Sequence, residues 1–588
     1  MQRHVHQTAS EGRRGQRLSR QEQRVCPQEQ RVCPQEQRVC PQKQRVSRDC
    51  SRPFRRWSPL LGAVIGVVLA SSVAGAGTFE VRLRQQTPVE PDGSERYHRV
   101  ERAEVWDGAK TAVIVCDMWD SHHGYRAAMR TGELAPKVND LIVEARGRGA
   151  TIIHAPSDCM KGYADHPGRL RAMAVPGVEK YPEDIAKWCY KIPAEEKAKY
   201  PIDQSDGGED DTPQEHAAWE AELVKQDRNP KAPWLRQHGA IVIDNERDYV
   251  SDSGTEIWNI LQSRGIEQVI LTGVHTNMCV LGRPFGLRRM AQAGKRVVLV
   301  RDLTDTMYNP ASWPYVNHFS GNDLIVDHIE RHVCPTISSD QVVGGGKPFR
   351  FAGDRRPHVA MLINEPEYET HKTLPPYATD PLRKDFRVSL IYGDAKNGDL
   401  MPGIELIREA DVLLISVRRR TLPADQLAVV RDFVASGKPV IGIRTANHAF
   451  HLRGKPAPAG AADWPNLDAE VFGGHYTNHY GNELKTTVEF VEKANSHPIL
   501  SGIEREAFVA GGSLYQVLPL NPKAEVLLTG SVAGHPAEPI AWTFIRADGG
   551  RSFYTSLGAP ADFEHPAFRQ LLHNALLWGV GAEVDASK

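Results

Sequence analysis

The chain has 588 residues, 40% of them hydrophobic and 25% charged, and its 72 basic side chains nearly balance 73 acidic ones for a formal net charge of −1. That length exceeds a single hydrophobic core and calls for two or three folded units plus tails. The charge balance removes the electrostatic case for a nucleic-acid partner, and the composition excludes a fibrous or wholly disordered chain.

Residues 21–41 repeat Gln-Glu-Gln-Arg-Val-Cys-Pro three times. A proline in every heptad forbids a coiled coil, because each one removes a helical N–H and clashes with the preceding turn. Residues 1–51 are read as a low-complexity tail, either disordered or translated from a misassigned start. Arg52, Arg55 and Arg56 then precede an apolar run from Leu60 to Val73, and Ala74-Gly75-Ala76 follows. A basic flank, a short apolar core and small exit residues make 52–76 a secretory signal peptide. Export to a periplasm or the extracellular space is expected, with membrane contact only through this segment if it stays uncleaved.

Alternating strand and helix patterns fill residues 80–345. Thr111–Met118 is an apolar strand ending near Asp117, and Glu133–Arg148 has helical spacing. Strands follow at Ala150–Ala155 and Ile241–Asp244, a helix at Glu256–Ser263, a strand at Gln268–Val274, a helix at Val280–Ala293 and a strand at Arg296–Arg301. This alternation predicts an α/β domain with a mainly parallel sheet flanked by helices. Ligands of such sheets bind beyond the carboxyl ends of the strands, where Asp117 and Cys279 both fall. The segment Lys161–Lys231, rich in charge and proline, is expected to form a lid or edge over the site. Its acidic run, Asp203 to Asp211, suits either a cation or a solvated face.

Cys279 lies on a strand-to-helix turn, His275-Thr-Asn-Met-Cys279-Val. A thiol at a helix N-terminus is expected to have a lowered pKa and to act as a nucleophile, with Asp117 as its acid/base partner. A small buried cysteine is the bland alternative. His122, His123, His275, Asn277 and Arg283 are the candidate substrate-binding residues. The other cysteines of the folded region, Cys116, Cys159, Cys189 and Cys334, form no CxxC pair, so no structural zinc is expected. At least one of these five must be free if pairing is internal.

Val113–Asp117, Thr272-Gly-Val-His-Thr-Asn-Met-Cys279-Val and Gly294–Asp302 together resemble the isochorismatase-like cysteine hydrolases, over most of residues 110–335. The resemblance implies a triad of Asp, Lys and Cys, a cis peptide between Val274 and His275, and hydrolysis of a C–N bond in a small amide-like substrate. Asp117 and Cys279 match their positions. The lysine position falls at Glu246, counting back from Thr255, which leaves Arg247 and Lys191 as the cations considered. Without a lysine there, a hydrolase with altered chemistry and a degenerate binding protein both stay open. The metal-binding segment of some relatives corresponds to His154–Met160 with His166 beyond, and Met160 stands where a histidine is needed. No cofactor is therefore expected, though a metal is left open.

Residues 346–356 read as a linker. A second α/β series over 357–582 has strands at His358–Asn364, Arg387–Tyr392, Ala410–Val417 and Pro439–Arg444 and a closing helix at Pro566–Trp578. Ala410–Ile415, Asp432–Arg444, Phe553–Gly558 and Asn574–Trp578 resemble the trehalose-utilisation, or ThuA-like, proteins, which share the class I glutamine amidotransferase fold. Arg444 stands where the amidotransferases place their cysteine, and this half contains none, so glutamine hydrolysis by that route is excluded. His448, His451, His475 and His479 suit a sugar, a metal or plain polar loops, and Trp464 and Tyr476 suit stacking on carbohydrate. The partner expected for the whole chain is a small-molecule substrate, and assembly as a homo-oligomer is left open.

Overall fold

The computed structural model describes residues 77–90 and 95–584. The heptad repeats and the signal segment lie outside the described residues. No helix among the described residues is long and apolar enough to cross a membrane.

Eight strands form the first sheet: β1 (Thr78–Pro88), β2 (Tyr97–Asp107), β3 (Thr111–Cys116), β4 (Thr151–Ala155), β5 (Tyr249–Val250), β6 (Gln268–Val274), β7 (Arg296–Asp305) and β8 (Thr336–Ile337). Their spatial order is β2-β1-β8-β7-β6-β3-β4-β5. The run from β8 to β5 is parallel, and the hairpin β1–β2 closes the other edge antiparallel. The chain leaves β3 toward β4 and β5, then returns to place β6 on the opposite side. That reversal opens a crevice beyond the carboxyl ends of β3 and β6. Here Gly273 has φ 121°, and a Cβ on it would meet the Cys116 carbonyl oxygen at 2.0 Å. Only glycine lets the two strands end side by side at this point.

Three expected elements differ. The stretch expected as a strand at Ile241–Asp244 is irregular and leads into a turn at 245–247. The Asp248 carboxylate accepts the Asp244 N–H at 2.8 Å, the Asp248 N–H closes back on the Asp244 carbonyl, and Val242 is left exposed. The edge strand is instead Tyr249–Val250, paired with Ile153 and His154. The helix expected over Val280–Ala293 is broken into a wide turn at Thr276–Val280 and a short helix at Leu287–Gln292, because Pro284 cannot continue a helix. The helix expected at Glu133–Arg148 begins earlier, at Tyr125, and ends at Gly147.

The second sheet has nine strands. Its parallel half contains β9 (His358–Asn364), β10 (Arg387–Tyr392), β11 (Val412–Val417), β12 (Val440–Ile443) and Arg551–Thr555, ordered β10-β9-β11-β12 and then Arg551–Thr555. Glu538–Ile545, Glu525–Ser531, Thr487–Phe490 and Phe508–Val509 continue it antiparallel. Both regions are thus α/β, with helices against mixed sheets. Arg99 on β2 joins them, donating to Asp327 at 2.5 Å and to Ser389 of β10 at 2.9 Å.

Candidate active site

Asp117 leaves β3 at φ 48° and is fully buried. Its Oδ1 accepts the Ser157 N–H at 2.8 Å and its Oδ2 accepts Arg283 Nε at 2.9 Å. The Cys279 sulfur lies beside the same carboxylate, whose charge acts on it, and close to the His275 backbone. The peptide between Val274 and His275 is cis, as the resemblance implied. Asp117 and Cys279 are therefore brought together.

The electrostatics depart from expectation at the sulfur. Burial, and then the Asp117 charge, push the Cys279 thiol well above its ordinary pKa, outweighing Arg283 and the His275 N–H. The wide turn supplies too little helix dipole to offset a sulfur only 9% exposed. Asp117 itself is raised by burial, against Arg283 and the Ser157 bonds. The pair rests with its proton on sulfur beside a carboxylate made more basic than usual.

Arg283 holds the place that charge balance requires. It lies one turn after Cys279, and its N–H bonds the Cys279 carbonyl at 3.0 Å. Trp188, from the inserted segment, covers its guanidinium at 5.5 Å, and Asp158 meets it at 3.4 Å. The cations considered from sequence are elsewhere: Arg247 pairs with Asp244 on the surface, and Lys191 donates to the Glu196 carbonyl. Glu246 follows a turn rather than a strand and supplies nothing to the sulfur. Arg283, expected from the sequence to bind substrate, is the cation that pairs with Asp117.

The other candidates separate from this triad. The Asn277 side chain accepts the Met307 N–H and donates to the Met307 carbonyl, each at 2.9 Å, and Asn277 also lines the cavity beside the cysteine turn. That clamp ties the cysteine turn to the end of β7. His122, His123 and His275 form a second cluster. The His122 ring lies 4.7 Å from His275 and 4.0 Å from His123, beside the stacked pair Trp119–Trp234. Burial holds His122 well below its usual pKa and takes His275 to about 4, so both are neutral near pH 7. Beyond them Arg130 bridges Asp305 at 2.7 Å and Asp210 at 2.9 Å, and His318 bonds Asp305 at 3.0 Å.

Metal ligation does not gather around His154. Its ring nitrogens are taken by Gln237 and Asp248, and His166 Nδ1 accepts the Gly168 N–H. Glu209, Asp211 and His216 of the insertion do have metal-ligand spacing. However, Asp211 already caps the N–H groups of Tyr125 and Arg126, and Glu209 pairs with His216 directly. All five cysteines of the described residues are free thiols.

A cavity of about 390 Å³ opens beside the cysteine turn, lined by Trp188, Tyr190, Lys191, Tyr200, Met278 and Arg288 among others. Trp188 therefore forms part of this wall and also covers Arg283. The inserted segment does border the site, as expected of it. In the second region Trp464 is buried, with its indole N–H bonded to Glu470, so it offers no stacking face. Tyr476 stacks on His448 at 4.6 Å, whereas His475 is exposed.

Residues 190–313 match the isochorismatase domain family, and residues 384–579 match the trehalose utilisation (ThuA) family. No curated protein matches the chain. Among solved structures, a protein described as ThuA-like from Bacteroides uniformis is 19% identical, with 40% of this chain and 97% of that one covered and a TM-score of 0.30. A cysteine hydrolase from Pseudomonas syringae is 16% identical over 40% of this chain and 93% of that one, with a TM-score of 0.25. An isochorismatase family protein from Burkholderia thailandensis is 15% identical over 40% of this chain and 94% of that one, with a TM-score of 0.23.

Proposed function

We propose that this chain, an isochorismatase-like domain fused to a ThuA-like domain, is an exported cysteine hydrolase that cleaves a C–N bond in a small amide-like substrate. The observation that carries the reading is one carboxylate, Asp117, that pairs with the Arg283 guanidinium and lies beside the Cys279 sulfur. Asp117 takes the thiol proton as sulfur attacks the substrate carbon, so a thiolate need not exist at rest. The proton passes to the departing amine as the C–N bond breaks. Water then cleaves the thioester, with Asp117 again as base and the thiol regenerated. Arg283 balances the negative charge that moves between Asp117 and sulfur, the role a lysine has in the resemblance. The His275 N–H stabilises charge on the sulfur.

The test is ammonia release by the purified chain from a panel of primary amides and N-carbamoyl compounds, with mass spectrometry of quenched enzyme for an acyl adduct on Cys279. Turnover that Cys279→Ser abolishes supports the reading. A panel hydrolysed equally by both proteins rules it out. A second reading, a binding domain without catalysis, is favoured by the burial of the sulfur and its raised pKa; binding of a panel member with neither adduct nor turnover would establish it. Export rests on segment 52–76 and is tested by fractionating cells that express the full chain.

A further inference from the structure

The second sheet carries a cluster of cationic and donor groups for which the hydrolase has no use. It lies beyond the carboxyl ends of β11 and β12. Arg444 takes the first position after β12 at φ 49° and is 2% exposed. Its Nη1 donates to the Ser513 and Ser556 carbonyls, and its guanidinium lies between the Tyr368 and Tyr515 rings at 4.5 and 4.3 Å. A Cβ at Gly512 would strike that guanidinium at 2.5 Å, so the backbone is shaped around it. Arg419, two residues past β11, lies beside Tyr476, and its backbone N–H bonds the His448 carbonyl at 3.2 Å. Tyr476 packs on Tyr515 at 4.7 Å and on His448 at 4.6 Å, which closes a ring of side chains from Arg419 to Arg444.

The unpaired atoms of this ring are donors. Arg444 Nε, Arg419 Nε and Nη1, and Asn447 Nδ2 are buried without a hydrogen-bond partner. Asn447 has already given its oxygen to His448 Nδ1 at 2.6 Å. No carboxylate lies within ion-pair distance of Arg419, Arg444 or the nearby Arg453 among the described residues. Burial and the surrounding arginines hold His448 neutral, and the Tyr476 and Tyr515 phenols are raised, so none of these supplies a negative charge. Asp468 Oδ1 is also without a partner, on the residue whose other oxygen accepts the Tyr476 N–H at 2.6 Å. A buried guanidinium N–H without a partner costs solvation, and such groups in natural proteins are completed by a ligand, an ion or an ordered water.

We infer that the ThuA-like domain binds the oxyanion of a small molecule, a carboxylate or phosphate, through Arg419, Arg444 and Asn447, with Tyr476 over it. Arg419 offers two unpaired N–H groups, and Arg444, whose Nη1 and Nη2 are already bonded, offers Nε; charged donors of this kind suit an oxyanion better than a neutral sugar. The site is separate from Cys279 and stands whether or not that residue is catalytic.

The experiment is calorimetric titration of the full chain with inorganic phosphate, D-glucuronate and D-glucose, the last as the uncharged comparison. Arg419→Gln is the main variant because this side chain is half-buried and its loss leaves the Arg444 network intact. Cys279→Ser checks that binding is not at the first domain. The expected result is binding of phosphate, glucuronate or both but not glucose, weakened about tenfold by R419Q and unchanged by C279S, as loss of a charged hydrogen bond predicts. Phosphate alone identifies a phosphate ligand and glucuronate alone a carboxylate. Binding indifferent to R419Q, binding of glucose equal to glucuronate, or no heat from either anion at about 10 mM overturns the inference.

Discussion

Arg283 Nε donates to Asp117 Oδ2 across 2.9 Å, from a side chain one turn beyond the cysteine that lies beside that carboxylate. The cation is thus delivered by the helical side of the cysteine turn. Replacing it with an apolar group leaves a buried, uncompensated carboxylate, a change that costs about 3–5 kcal/mol when a buried pair is broken. Arg283→Met is expected to lower both the melting temperature and kcat. Arg283→Lys keeps the charge but loses the planar fork toward Asp158, so it should retain most of the stability and more turnover than Arg283→Met. Equal kcat in the two variants would show that the charge has no catalytic part.

A pH prediction follows at the sulfur. Burial and Asp117 raise the Cys279 thiol, so little thiolate exists near neutrality. Iodoacetamide should label Cys279 more slowly than free cysteine at pH 7.5, and faster as the pH rises. Asp117→Asn removes a neighbouring negative charge, which lowers the thiol pKa and should speed labelling. The same change removes the base, so turnover should fall by about 10²–10⁴-fold. Opposite movements of labelling and turnover distinguish general-base activation from a preformed thiolate, in which both would move together.

The strands were legible where apolar runs were continuous, as at Thr111–Cys116 and Gln268–Val274, because a buried parallel strand needs no polar face. Ile241–Asp244 carried the same signal and misled, since its backbone groups are claimed by the Asp248 side chain, a long-range feature that periodicity does not register. Cys279 and Asp117 were legible from their places after strands. Asn277 was legible as a polar neighbour of the cysteine, but its clamp on the Met307 backbone, which takes both ends of its amide, was not. The pairing of Arg283 with Asp117 and the Arg444 ring depend on contacts between distant segments, to which spacing along the chain gives no guide.

Glu195 ties the inserted segment to the domain. It meets Arg288 at 2.7 and 2.8 Å and His328 at 2.9 Å. Burial raises its pKa, but the His328 and Arg288 hydrogen bonds prevail and hold it down to about 2. A carboxylate depressed on folding contributes stability that is present above its unfolded pKa and is lost as pH falls through the folded one. Acid should therefore remove about 3 kcal/mol between roughly pH 4.5 and 2. Glu195→Gln should flatten that part of the pH profile in chemical denaturation and destabilise the protein at pH 7, because Arg288 is left buried without its partner. A profile unchanged by the substitution would show that this pair does not anchor the insertion.

Asp468 gives the opposite slope in the second domain. It is 9% exposed, and burial raises its carboxyl to about 7 against the Tyr476 N–H bond. A raised folded pKa means that the folded state binds the proton more tightly than the unfolded chain does. Stability is then greatest below the unfolded value near 3.8 and declines as pH rises toward about 7, by up to about 4 kcal/mol. Asp468→Asn keeps the acceptor for Tyr476 and removes the titration, so it should stabilise the protein at pH 8 and change little at pH 4. Denaturant midpoints at the two pH values check this. Equal shifts at both would mean that the carboxyl is already charged in the folded state at pH 4, and that burial does not govern this aspartate.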